Sequence, residues 1–167
     1  MKSHEIFQHM SPALAVEILT YLQREQTPVY KTVVQGLAQQ RRLRPVFVER
    51  KAPPERYAWL QAALGRKVND TFAAHLLQSW LLGARKPLLC DFLESLGIAH
   101  DADGTVEELP VSPAKERLHQ VITQLLDKYP AEIVTVYLHA FHDMDSTVSW
   151  PPLGEVLQED ERLKLGG

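Results

Sequence analysis

Cysteine is almost missing from this 167-residue chain, which has only Cys90. No intrachain disulfide can form, so the disulfide-stapled architecture of small extracellular domains is excluded and a reducing, cytoplasmic setting is expected. Long apolar runs are missing too. The most apolar stretches, 72–84 and 133–141, are interrupted by His75, Gln78 and Ser79 or by Thr135 and His139. Both fall short of the ~20 residues that cross a bilayer, so no membrane partner is expected. Lys2, His4, Glu5 and His9 stand where a secretory leader would place its apolar core, and export is not expected. Strand signals reduce to Pro45-Val46-Phe47-Val48. A single short strand has nothing to pair with in a helical chain, so an extended connector is predicted near residues 44–52, with an intermolecular strand as the alternative. The sequence has no glycine-rich phosphate loop, no serine elbow and no zinc Cys/His framework.

What the chain does have is proline, eleven residues placed as punctuation. At the first helical position proline loses no hydrogen bond, because that N–H has no intrahelical partner and the fixed φ suits the helix. Ser11-Pro12, Thr27-Pro28 and Ser112-Pro113 add a hydroxyl that could cap the new helix. Pro54, Pro87, Pro130 and Pro152 mark further starts, while Gly65 and Gly97 suit helix ends. Between these marks the apolar spacing is helical. Leu118, Val121, Ile122, Leu125 and Leu126 paint one stripe on a helix from about Pro113 to Lys128. The segments 70–84 and 131–144 are apolar over more than one stripe and are predicted to form the centre. The expected fold is all-α, a single irregular bundle of about six to eight short helices over residues 1–148. A short acidic helix or tail follows at 149–167. A local match at an offset of 33 residues, Pro54–Ala62 with Pro87–Ser95, has no third copy, which argues against a solenoid.

Charge is unevenly spread. Residues 1–90 carry 13 Lys/Arg against 6 Asp/Glu, while residues 91–167 carry 5 against 15, so a net −3 hides halves of +7 and −10. Arg41, Arg42, Arg44, Arg50, Lys51 and Arg56 lie close together, interleaved with Phe47, Tyr57 and Trp59. That mixture can grip phosphates and stack on bases, which makes the 41–67 region the basis of a nucleic-acid reading. Against it, Arg41 and Arg42 fall in the last turn of a helix, where cations offset the dipole with no ligand. A helix-turn-helix at Phe92–Ile98 would place Asp101 and Asp103 in the recognition helix, the wrong sign for DNA. The complementary reading is protein contact, with a basic surface of Arg44, Arg50, Lys51 and Arg56 facing an acidic one. The acidic surface comprises Asp91, Glu94, Asp101, Asp103, Glu107 and Glu108, on a partner protein or a second copy.

Chemistry-bearing groups are few. His139, His142 and Asp143 have the residue types of a metal site, yet they share the polar face that any surface helix shows, and no second ligand motif accompanies them. His75, with Thr71, Gln78 and Ser79 on one strip, could face His139 as an acid–base pair. Cys90 lacks the electropositive setting of a nucleophile. Asp101-Ala102-Asp103-Gly104 would put Ala99 and Pro110 at calcium-ligand positions, which excludes an EF-hand loop. The sequence therefore reads as a non-enzymatic helical protein-interaction module without a cofactor, a homo-oligomer being the expected form. The alternatives are a nucleic-acid-associated protein and a small metal- or histidine-dependent enzyme using His75, His139 and His142.

Overall fold

A computed structural model describes residues 1–107, 110–144 and 150–166. The described residues form ten α-helices, more than the six to eight expected because short segments such as 45–49 are also helical, and no strand, in the all-α class that the proline and apolar spacing predict. The helices divide between two compact units, one spanning Lys2–Trp80 and the other Leu81–Gly167 together with Met1.

The N-terminal unit contains α1 (Ser3–His9), α2 (Pro12–Glu25), α3 (Thr27–Gln40), α4 (Pro45–Glu49), α5 (Pro53–Leu64) and the start of α6 (Asp70–Ala84). Ser11 caps α2 as its sequence implies, its Oγ accepting from the Leu14 N–H at 3.2 Å, with Pro12 at the first helical position. Thr27 does not cap α3. Its hydroxyl donates to the Gln23 carbonyl at 2.8 Å, and Gln26 takes the cap position. Helix α2 packs against α3 and α5, and α1 against α5, burying Ile18, Leu22, Val33, Leu37, Leu60 and Leu64. Burial of side chains of this size contributes about 1.5–3 kcal/mol each. Polar groups fix the seams: Gln61 Nε2 donates to the Phe7 and Met10 carbonyls at 3.0 and 3.1 Å. Asn69, almost fully buried, donates to the Ala63 carbonyl at 2.7 Å and accepts from Gln40 Nε2 at 2.6 Å.

The C-terminal unit contains α7 (Lys86–Ser95), α8 (Lys115–Lys128), α9 (Ala131–Met144) and α10 (Pro151–Glu159), followed by a 3₁₀ turn at Glu161–Leu163. Helix α9 is buried from Ile133 to Ala140, as its all-round apolarity predicts. The stripe of α8 is buried at Leu118, Val121, Ile122 and Leu125, although the helix starts at Lys115 rather than Pro113, and Ser112 makes no cap. An aromatic cluster fills the centre. Phe92 meets Tyr137 and Phe141 edge-on at 5.5 and 5.4 Å, and Phe141 lies 5.2 Å from Trp150. The segment after Trp150 is a docked helix rather than a tail: Leu153, Val156, Leu157 and Leu163 are buried, against α8 and α9.

The two units repeat one scheme that sequence matching at 33 residues does not detect. Each has two successive fourteen-residue helices, α2–α3 and α8–α9, the second entered through Pro28 or Pro130. In each a later helix opens on Pro-Pro, at Pro53-Pro54 or Pro151-Pro152, and packs on the first of the pair.

The extended connector expected near residues 44–52 needs correction. Residues 45–49 form a one-turn helix, α4, although Val46 and Val48 favour strands. Pro45 starts it, fully buried Val48 anchors it while α4 packs on α3, and Arg56 Nη1 donates to the Glu49 carbonyl at 3.1 Å. Tertiary anchoring overrides local propensity here. With its own residues helical, this segment does not offer the intermolecular strand.

Candidate interaction surface

The main candidate surface is built from the end of α3 and from α4. After Gln40 the chain turns through Arg42 at φ +56°, the left-handed region, with Arg42 N–H on the Gln39 carbonyl and Leu43 N–H on that of Ala38 at 2.9 Å. This is a Schellman-type helix end, in which glycine is the usual occupant. An arginine there adopts a backbone conformation that costs L-residues about 1–2 kcal/mol. We expect Arg42→Gly to raise unfolding free energy by about 1 kcal/mol in urea titration; an unchanged or lowered value would show that the turn is not strained.

Helix α4 and the turn before it then present apolar residues outward. Leu43, Val46 and Phe47 are 37%, 38% and 55% exposed, beside the anchored Val48. Phe47 is the most exposed aromatic ring among the large exposed side chains, and rings of that size normally bury most of their area. Around the three apolar residues lie Arg41, Arg42, Arg44 and Arg50, all exposed, their guanidinium groups making no ion pair or hydrogen bond among the described residues. Glu49 is the one acid between positions 41 and 54.

The structure divides the predicted basic set. Arg44 and Arg50 are available, whereas Lys51 and Arg56 are engaged. Lys51 pairs with Glu55 at 3.2 Å one helical turn on. Arg56 brackets α4 to α5, bonding the Glu49 carbonyl and the Tyr57 hydroxyl, its guanidinium 5.0 Å over the Tyr57 ring. Tyr57 donates in turn to Gln23 Oε1 at 2.8 Å. Burial pushes the neighbouring Tyr30 hydroxyl up to about 12, so it stays neutral under the bracket. Trp59, the third aromatic of the basic region, is half-buried.

The predicted acidic set divides as well. Asp91 accepts from Lys128 Nζ at 2.6 Å and from the Tyr129 hydroxyl at 2.5 Å, and Glu94 meets His100 Nε2 at 3.3 Å. Asp103 accepts from the backbone N–H and hydroxyl of Thr105 inside a tight turn. Beyond this set, Lys115 holds Glu155 and Glu159, and Arg162 holds Asp160. Of the predicted acids, Asp101 and Glu107 keep carboxylates without a partner among the described residues; Glu108 lies outside those residues. Asp91, Glu94 and Asp103 are thus held by local partners, and the cations around α4 are not.

The engaged carboxylates set an acid response. Hydrogen bonds from Lys128, then Tyr129, hold Asp91 below the usual carboxylate range, and Arg162 does the same for Asp160. Burial raises Asp70, but the backbone N–H and ring of His4, at 3.0 and 2.8 Å, more than offset it. A group with a depressed folded pKa binds fewer protons folded than unfolded. Its contribution is full above the unfolded value of about 3.9 and lost as pH falls through the lower folded value. Urea unfolding at about pH 5 and about pH 3 should show stability falling with acidification, and Asp91→Asn should shrink that fall. An equal fall in the variant would remove Asp91 from the account.

The histidine readings fare differently. His139 is buried, its Nε2 on the Leu163 carbonyl at 3.1 Å and its Nδ1 3.4 Å from the Met1 amino group. That places the proton on Nε2, which donates to the Leu163 carbonyl. His142 is exposed and packs by Gly154, where an added Cβ would stand 3.0 Å from Nε2. Asp143 is half-buried, and His75 is exposed on the polar strip of α6 in the other unit. Among the described residues no three His, Cys, Asp or Glu side chains are placed to hold a metal ion. No described helix is long and apolar enough to cross a membrane. Cys90 is half-buried, its thiol pushed up by burial and then by Glu94, Asp91 and Asp103. That is the opposite of an activated nucleophile.

Sequence reasoning misses the strained Arg42 turn and the outward-facing Phe47. The sole signal for them is an aromatic residue within an arginine-rich stretch. No protein-family model, curated protein or solved structure matches the chain.

Proposed function

We propose that this chain is a non-enzymatic helical module that binds protein through the surface formed by Leu43, Val46 and Phe47 and ringed by Arg41, Arg42, Arg44 and Arg50. The observation that carries this reading is the pairing of exposed Val46 and Phe47, on a helix held by Val48 and Arg56, with exposed Leu43 and four uncompensated cations on the segments flanking that helix. Exposed apolar area with a charged rim is the anatomy of a contact surface. Aromatic and arginine side chains supply most binding hot spots, and a preformed helix spares the partner the cost of ordering it. Histidine catalysis draws less support, because His139 is buried with its Nε2 on the Leu163 carbonyl. A cytoplasmic location agrees with the single cysteine.

The native mass of the chain in extracts of its own cells tests the proposal. The wild type should elute above its monomer mass of 19.0 kDa, and a Phe47→Ala/Arg44→Glu variant should return to it. Nuclease should leave the wild-type profile unchanged. Collapse of the complex on nuclease treatment would establish the nucleic-acid reading instead, and a variant that elutes with the wild type would refute the surface.

A further inference from the structure

We infer that the occupant of the α4 surface is the acidic turn of a second copy of this chain. The inference rests on the interaction reading above and names its partner. Three observations support a second copy.

The first is charge. After local ion pairs are removed, the unpartnered cations of the proposed surface are Arg41, Arg42, Arg44 and Arg50. Within the acidic turn that follows α7 the unpartnered carboxylates among the described residues are Asp101 and Glu107. Opposite charges steer an encounter and fix its register. The second is apolar content: Val111, at the far end of the same loop, is 92% exposed, the largest exposure of any big apolar residue among those described. It can cover part of the Leu43–Val46–Phe47 face, for which charge alone gives no partner. The third is internal bonding at Arg42–Leu43 on one side and at Asp101–Thr105 on the other. Asp101 N–H bonds the Thr105 carbonyl at 2.8 Å, and Gly104 N–H bonds that of Asp101 at 3.0 Å. Trp150 Nε1 holds the Pro110 carbonyl at 3.2 Å beside Val111. Bonds of this kind reduce the ordering entropy that docking of Asp101 would otherwise cost.

Each chain carries both halves, so a closed pair would contain the same contact twice. Two small, charge-rich contacts predict weak association that salt dissolves, because exposed charges are screened within about 8–10 Å at physiological ionic strength.

Light scattering on the purified full-length chain tests this. In about 20 mM salt the mass should rise with concentration toward twice 19.0 kDa, and in about 0.5 M salt it should return to 19.0 kDa. Arg44→Glu/Arg50→Glu and Asp101→Arg/Glu107→Arg proteins should each stay monomeric, since each presents like charges to itself. Mixed together they should pair again, because one contact of the mixed pair is native and the other has both signs reversed. That recovery also shows that both variants are folded. A wild type that stays monomeric in low salt up to about 0.5 mM, or pairing that neither charge reversal weakens, overturns the inference. Should the wild type be monomeric while Phe47→Ala/Arg44→Glu still dissolves the complex in cell extracts, the partner is another protein and the interaction reading stands.

Discussion

Replacing Phe92 with alanine should unfold the C-terminal unit more readily than any surface change. Phe92 is fully buried on α7, with Tyr137 and Phe141 edge-on to its ring. A Phe→Ala change in a packed core costs about 3–5 kcal/mol through lost transfer energy and the cavity left behind, and each aromatic pair adds about 0.5–1.5 kcal/mol. Against a total stability of about 5–15 kcal/mol this is a third or more. In thermal unfolding the transition of the unit should drop by more than about 10 °C, while Val111→Ala, at a 92% exposed position, should move it by a degree or two at most. Comparable small shifts in both would mean that the aromatic cluster does not organise this unit.

Gly104→Ala is the second large effect, and it separates two costs that are usually confounded. Gly104 sits at φ +86°, and a Cβ added there would stand 2.6 Å from the Cβ of Leu89. The first cost is a left-handed backbone, about 1 kcal/mol; the second is overpacking against a helix, about 1–3 kcal/mol. Gly97, at φ +72°, has nothing within 4 Å of the place its Cβ would occupy. Gly97→Ala should therefore show the backbone cost alone. A total loss of about 2–4 kcal/mol for Gly104→Ala in urea unfolding is expected, with Gly97→Ala near ~1 kcal/mol. Because Gly104 shapes the turn that carries Asp101, its substitution should also weaken self-association, and Gly97→Ala should not. Equal losses in the two variants would show that the Leu89 contact is soft.

Much of the helical class is legible in the sequence, because proline placement and apolar spacing are local and read directly. Pro12, Pro54, Pro87 and Pro152 all fall within the first two positions of a helix, and the stripe of α8 is buried. Gly65 shows the limit of that reading: it ends α5 with φ −72°, an ordinary right-handed value. Helix α4 is hidden because Val46 and Val48 favour strands, and the groups that hold the segment helical, Arg56 and the α3 face, lie outside it. The charge surfaces are legible as composition but not as availability. Asp91 and Lys128 stand 37 positions apart, and only the fold shows that one neutralises the other. Pairing of the same kind removes Lys51 and Arg56 from the basic surface and leaves Arg44 and Arg50 on it. The place of His139 is hidden for a related reason: nothing local to it announces that the Leu163 carbonyl is its acceptor.

The central claim is that the outward face of α4 meets protein. A photoreactive benzophenone side chain at position 47, compared in living cells with one at position 68, tests it most directly. Val68 is 69% exposed, belongs to the same unit and lies outside the four-arginine ring, so it controls for exposure alone. The account predicts discrete protease-sensitive adducts at position 47 and none above background at position 68. Equal labelling at the two positions, or adducts at 47 that nuclease removes, would contradict it.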